Sequence, residues 1–252
     1  MKFADFARRV VRRTGIAWAP SLKAFEVSND AVRARAAEAK DGLPKTFFAH
    51  RGRETLKWAH YLDAYERHFA GLRQTAVRVL EIGVMKGGSL DIWRDYFGPA
   101  ATIFGVDIDP ACANRVTAPN MVRIGSQDDL AFLRAVVAEM GGVDIVIDDG
   151  SHIGRHQRAS FDALFPLLGD GGLYAIEDLH TAYWPGHFEG GYRRKGTAID
   201  LVKQMIDDLH GWYHSRPRPT PARDEVGGMH LYDSLVIIEK RRKERPQHLH
   251  GG

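Results

Sequence analysis

The sequence predicts an α/β protein whose core is a doubly wound, mostly parallel seven-stranded sheet with an antiparallel strand at one edge. Two observations predict it. Five short apolar runs, at residues 78–83, 102–108, 121–124, 143–149 and 172–178, alternate with stretches of helical periodicity. Strands separated by helices pair in parallel through right-handed crossovers. Two further runs, 229–232 and 235–239, are parted only by Asp233-Ser234, and so short a turn makes an antiparallel pair at the sheet edge.

The connecting elements follow in order. Residues 1–45 are mostly helical in pattern, and 56–72 carry Trp58, Tyr61, Leu62, Tyr65 and Phe69 at helical spacing, a face that packs on the core or over the cleft. Residues 1–72 are expected to form an N-terminal helical arm or cap before a sheet domain at 73–240. Ser89 is placed to cap a helix over 90–96, and 129–140 put Leu130, Leu133, Val137 and Met140 on one helical face. Thr197 and Asp200 have the spacing of a capping box for a helix over 197–212. A Pro-rich connection at 215–222 leads to the final hairpin, and the basic tail 241–252 has the composition of a disordered segment.

At 252 residues the chain can bury one sizeable core. The net charge is only +3, with basic residues gathered at the two ends, which argues against a nucleic-acid partner. Arg8, Arg9, Arg12 and Arg13 alternate with Phe3, Phe6, Val10 and Val11; packing on the protein or on a second subunit suits that pattern better than membrane contact. No stretch approaches the roughly 18 apolar residues of a membrane span, and the N-terminus lacks the apolar core of a signal peptide. The lone Cys112 cannot form an internal disulfide, in keeping with a cytoplasmic protein.

The first strand closes on Leu80-Glu81-Ile82-Gly83-Val84-Met85-Lys86-Gly87-Gly88-Ser89. Glycines at 83, 87 and 88 let bare backbone approach a ligand before a helix opens, giving a Rossmann-like plan. A carboxylate inside the loop would repel a dinucleotide pyrophosphate but suits a ligand carrying an ammonium and a sulfonium. Asp107, 26 residues beyond Glu81, can accept hydrogen bonds from both hydroxyls of a ribose. Gln127 and Asp128, after the third strand, can meet an adenine edge.

Two acidic clusters end the next strands: Asp148-Asp149-Gly150-Ser151-His152 and Glu177-Asp178. Asp149, Glu177 and Asp178 should meet at one rim, and three carboxylates without a cysteine partner favour a hard ion such as Mg²⁺. His152 is placed to take a proton from a hydroxyl held there, with Asp148 a supporting residue on the cosubstrate side and His156 able either to orient His152 or to serve as a surface residue. The competing structural reading makes Asp148 and Asp149 helix caps and His152 a packing residue.

The glycine loop resembles motif I of the class I S-adenosylmethionine-dependent methyltransferases, a resemblance that extends over about residues 78–240. It implies that Glu81, Gly83, Gly87 and Ser89 surround the methionine part of S-adenosylmethionine, that Asp107 holds the ribose, and that Gln127 or Asp128 lies near adenine. The second cluster, followed by Leu179-His180-Thr181-Ala182-Tyr183-Trp184-Pro185, resembles the metal-dependent sugar O-methyltransferases of macrolide tailoring, the mycinamicin and macrocin type, and bacterial glycan-modifying relatives. That resemblance implies Mg²⁺ on Asp149, Glu177 and Asp178, His152 as the base, a sugar or glycoside acceptor, and a homo-oligomer.

The aromatic loop after the metal acids offers ring faces for a sugar, with Tyr183 and Trp184 the leading substrate contacts and His180 beside them. Lys57, His60 and Tyr61 are upstream residues within reach of the cleft, Tyr61 being better suited to core packing. Two rival functions share these features. A catechol-type methyltransferase would act on phenolic hydroxyls, and a non-catalytic scaffold would bind the nucleotide without turnover. An oxidative role lacks a two-histidine, one-carboxylate iron pattern in the sequence.

Overall fold

The computed structural model describes residues 25–215 and 224–251. The basic stretch at 8–13 and most of the Pro-rich connection lie outside the described residues. Helices α1 (Asn29–Glu38), α2 (Gly42–Ala49) and α3 (Ala59–Phe69) precede the sheet. There follow β1 (Arg78–Ile82), α4 (Gly88–Phe97), β2 (Thr102–Asp107), the single turn α5 (Cys112–Arg115), β3 (Met121–Ile124), α6 (Leu130–Met140), β4 (Val143–Asp148) and α7 (Gly154–Leu164). The chain continues through β5 (Leu168–Ile176), α8 (Ala198–Leu209), β6 (Val226–Tyr232) and β7 (Leu235–Lys240).

The strands lie in the order β3-β2-β1-β4-β5-β7-β6. Strands β1 to β5 pair in parallel, and β7 runs antiparallel to both its neighbours. The expected seven strands and antiparallel edge are therefore present, with the reversed strand one place in from the rim. The two-residue turn Asp233-Ser234, with Ser234 at φ 62°, folds β7 back between β6 and β5. Helices cover both faces, which is why β1, β2 and β4 read as continuous apolar runs. One core joins Tyr61, Tyr65, Phe69 and Trp93 to Ile103, Ile145 and Ile237 under α3 and α4. The other joins Leu133, Phe161, Leu164 and Met205 to Leu80, Val146 and Ile238 under α6, α7 and α8.

Local signals fix the helices. Asp129 accepts from the amides of Ala131 and Phe132 at 3.1 and 3.0 Å, and Gly141 closes α6 at φ 75°; a cap of this kind contributes about 1 kcal/mol. Thr197 caps α8 as its spacing predicts. Ser89 does not cap α4. Gly87, at φ 86°, takes that position, and the Ser89 hydroxyl donates to Glu81 instead; at Gly88 a Cβ would lie 2.2 Å from the Arg53 carbonyl oxygen. The helix expected from residue 56 starts only at Ala59, and Trp58 is extended, which frees Lys57 from the helix. Beyond β7, residues 241–251 form neither helix nor strand, yet the amides of Arg241 and Lys243 reach the Glu225 and Asp224 carbonyls at 2.7 and 2.9 Å.

Register determines the site. Ile82 pairs with Asp148, and Asp148 with Ile176. Past the strand ends, Asp149 donates to the Ile82 carbonyl at 2.9 Å and Glu177 to the Asp148 carbonyl at 3.0 Å. Gly83, Asp149 and Glu177 thus leave the sheet side by side, at the point where strand order reverses and such folds bind ligands.

Candidate active site

A cleft of about 440 Å³ opens over these strand ends, lined by Gly83, Met85, Ser89, Asp107, Asp149, His152 and Asp178 among others. Gly83, at φ 94°, brings the first loop against the second: a Cβ there would lie 2.1 Å from the Asp149 carbonyl oxygen. Asp107 Oδ2 accepts from the amides of Val84 and Met85 at 2.8 and 3.0 Å, and Oδ1 from Asp109 at 2.9 Å. Burial alone would raise its pKa, but these three backbone donors hold it below the usual carboxylate range. The same carboxylate that faces the cleft therefore also shapes the glycine loop.

Glu81 lies beneath this loop, fully buried. Its Oε2 accepts from the Ser89 hydroxyl at 2.7 Å and the Trp93 indole at 3.2 Å, and Oε1 is 3.3 Å from Lys57 Nζ. Asp148 and Gln127 are not at the cleft. Asp148 ends β4 pointing into the opposite layer, because side chains alternate along a strand, and there it accepts from Gln127 at 2.9 Å, from Ser160 and from Tyr174. Gln127 also accepts from the Ser151 amide at 2.8 Å, so both side chains brace the second loop. Asp128 lies 3.5 Å from His156 Nε2 and is not among the residues that line the cleft. His156 binds the Ser151 hydroxyl at 2.9 Å and does not orient His152, which precedes α7 in left-handed backbone at φ 56°.

Asp149, His152 and Asp178 come together, with one donor atom from each lying within 4.8 Å of the others. His152 Nε2 is 3.7 Å from Asp178 Oδ2 and 4.0 Å from Asp149 Oδ1. At these separations His152 stands beside two carboxylates, whose oxygens are the hard donors that a divalent cation such as Mg²⁺ takes. His152 Nδ1 is buried and, among the described residues, has no hydrogen-bond partner. Asp178 also adopts left-handed backbone, at φ 53°. Such strain persists where surroundings enforce it, and here the Trp58 indole donates to Asp178 Oδ1 at 3.0 Å while the Tyr61 hydroxyl accepts from the Asp178 amide at 3.1 Å. Tyr61 is wholly buried. It positions Asp178 and does not face a substrate.

Glu177 faces another partner. Its Oε1 accepts from Lys57 Nζ at 2.7 Å and from the Tyr65 hydroxyl at 2.6 Å, while Lys57 also reaches Asp149 Oδ2 at 2.5 Å. Burial and the Asp149 charge push the Glu177 pKa up to about 8, against the pull of Lys57. For Lys57 burial works the other way, but the carboxylates of Asp149, Glu177 and Glu81 outweigh it and hold the ammonium well above the ordinary lysine range. One cation thus joins the Glu81 carboxylate beneath the glycine loop to the acidic rim. The sequence places Lys57 near the cleft but conceals this role, and it does not reveal Trp58 and Tyr65 as partners of the acids.

The loop after β5 contributes an aromatic row. His180 meets Trp58 and Trp184 edge-on, at 5.4 and 4.6 Å between centroids; Phe188 lies 5.7 Å from Trp184 and 6.4 Å from His152. Tyr183 is outside this row and lines a separate cavity with Gly191, Arg193 and Asp200. Among the described residues no helix is long and apolar enough to cross a membrane.

No protein-family model matches the chain. It is 42% identical over 226 residues to the 8-demethyl-8-(2-methoxy-alpha-L-rhamnosyl)-tetracenomycin-C 3'-O-methyltransferase of Streptomyces olivaceus, covering 84% of this chain and 57% of that protein. It is 41% identical over 204 residues to the mycinamicin VI 2''-O-methyltransferase of Micromonospora griseorubida, covering 75% of this chain and 49% of that protein. A methyltransferase of the mycinamycin pathway, solved with Mg, SAH and mycinamycin VI, superposes with a TM-score of 0.69 at 38% identity, over 79% of this chain and 53% of that one. The chain spans about half the length of the curated relatives it matches. Shared sequence and a shared sheet identify it as a homologue of the antibiotic-sugar O-methyltransferases, built on the class I S-adenosylmethionine-dependent methyltransferase fold.

Proposed function

We propose that this chain carries the catalytic centre of a Mg²⁺-dependent O-methyltransferase that moves a methyl group from S-adenosylmethionine to a hydroxyl of a sugar or glycoside. The observation that carries the reading is the convergence of the glycine loop and the Asp149–His152–Asp178 cluster on one cleft. Its support is the relative solved with Mg and SAH. Asp149 and Asp178 offer hard oxygen donors, with Glu177 the third acid beside them, and this set fits Mg²⁺. When bound, S-adenosylmethionine supplies an electrophilic methyl carbon, and Mg²⁺ acidifies a hydroxyl.

The chain's own residues would do the rest. His152 Nε2 takes the hydroxyl proton, and the imidazolium formed faces two carboxylates at 3.7 and 4.0 Å. Trp58 and Tyr61 keep Asp178 aimed, and the row His180, Trp184 and Phe188 presents ring faces to a sugar. The single Cys112, buried and unpaired, fits a reducing cytoplasm.

Chelation followed by Mg²⁺ add-back, with glycoside and catechol acceptors assayed in parallel, tests the reading. Methyl transfer to glycosides that disappears on chelation and returns with Mg²⁺ is expected. Undiminished transfer after metal removal, or transfer confined to catechols, would overturn it. Calorimetry on His152→Ala separates base from ligand: retained Mg²⁺ affinity with lost turnover assigns the base.

A further inference from the structure

A second cluster of ligating side chains lies at the antiparallel edge of the sheet, outside the cleft. In the β6–β7 pair Gly228 stands opposite Glu239, so His230, two residues along, shares its face on the diagonal. His230 Nε2 is 2.7 Å from Glu239 Oε1. The last turn of α3 sets His68 against them, its ring centroid 4.3 Å from that of His230 and its Nε2 2.9 Å from the Tyr232 hydroxyl. One donor atom from each of His68, His230 and Glu239 lies within 4.8 Å of the other two. No sequence spacing announces the group, because His68 lies far along the chain from the hairpin that carries His230 and Glu239; a two-histidine, one-carboxylate set that the sequence does not display is thus assembled by the fold.

We propose that His68, His230 and Glu239 form a second metal site, one that takes a first-row transition ion such as Zn²⁺ and clips α3 to the hairpin. Two imidazoles and one carboxylate, with no thiolate, suit Zn²⁺ and its neighbours and not Mg²⁺. The His230 and Glu239 side chains are 40% and 31% exposed, so an ion has a path in and water can complete its shell. Bonds of about 2.0–2.2 Å require the 2.7 Å His230–Glu239 contact to widen by several tenths of an ångström, and partly exposed side chains can make that adjustment. The clip would fasten the C-terminal end of the helix whose other end holds Asp178 and Glu177 through Tyr61 and Tyr65.

The test uses the whole chain carrying Asp149→Asn and Asp178→Asn, so that the cleft acids do not compete for the ion, titrated with Zn²⁺ by calorimetry and with Co²⁺ by visible absorption. One ion is expected, with nitrogen-ligand d–d bands and a rise in melting temperature. Glu239→Gln and His68→Asn should each weaken it by more than about tenfold. Unchanged S-adenosylhomocysteine affinity in both variants would establish that they fold. Binding that survives both substitutions but is lost in a His248→Ala/His250→Ala variant would assign the ion to the tail and overturn the proposal. An absence of any Zn²⁺ or Co²⁺ uptake would leave the cluster a hydrogen-bonded brace and overturn it equally.

Discussion

A lysine ammonium within bonding distance of three carboxylates lowers a repulsion that would otherwise oppose folding. Lys57 is 5% exposed, and Glu81 and Glu177 are 0% and 2% exposed. Removing one partner of a buried ion pair leaves the other uncompensated, at a cost of about 3–5 kcal/mol. Lys57→Met should therefore destabilise the metal-free protein by about that amount in urea denaturation, and Mg²⁺ should recover part of it. A variant as stable as wild type would show that Lys57 is not needed to balance the acids. At His152 the expectation is kinetic. His152→Ala should lower kcat by about 10²–10⁴, the usual scale of general-base help, with S-adenosylhomocysteine affinity unchanged; a kcat within threefold of wild type would rule the base role out.

The elements bring these residues together through backbone contacts that leave little tolerance. Gly83 combines φ 94° with a closest approach that no side chain can share. Gly83→Ala should abolish S-adenosylhomocysteine binding in calorimetry and lower the melting temperature; an alanine variant that binds normally would mean that the two loops move apart freely. The sheet, its helices and the antiparallel pair were legible because apolar runs, caps and a two-residue turn are local signals. Asp149, His152 and Asp178 were legible as a cluster because they follow strand ends that register aligns. What the sequence concealed depended on direction. Asp148 and Asp149 are adjacent, yet alternation sends one into the core and the other to the cleft. Lys57 has helical neighbours, but the helix begins two residues later. Glu177 meets Lys57 and Tyr65, and the hydroxyl of Tyr65 on an otherwise apolar face of α3 was a signal available in the pattern.

At the scale of the molecule, the acids couple stability to pH. The folded pKa of Glu177, about 8, lies above its ordinary 4.5, so folding favours its protonated form. Its contribution is fully present below about pH 4.5 and lost as pH rises through about 8. In metal-free protein, the stability of wild type relative to Glu177→Gln should fall across that window. A difference that is flat, or rises, would contradict the burial of Glu177 beside Asp149.

The Glu81–Lys57–Asp149 bridge has a consequence for turnover. It sets a surplus of negative charge under the place where the cosubstrate is proposed to sit, and methyl transfer converts a sulfonium into a neutral thioether. The spent molecule leaves with one positive charge fewer than the one that arrived, so the rim should grip product less firmly than reactant and help to clear itself for the next cycle. Buried charges are screened little by salt, so the test is substitution: the affinity gap between S-adenosylmethionine and S-adenosylhomocysteine, measured by calorimetry, should narrow in Glu81→Gln, and an unchanged gap would show that contacts other than this charge govern release.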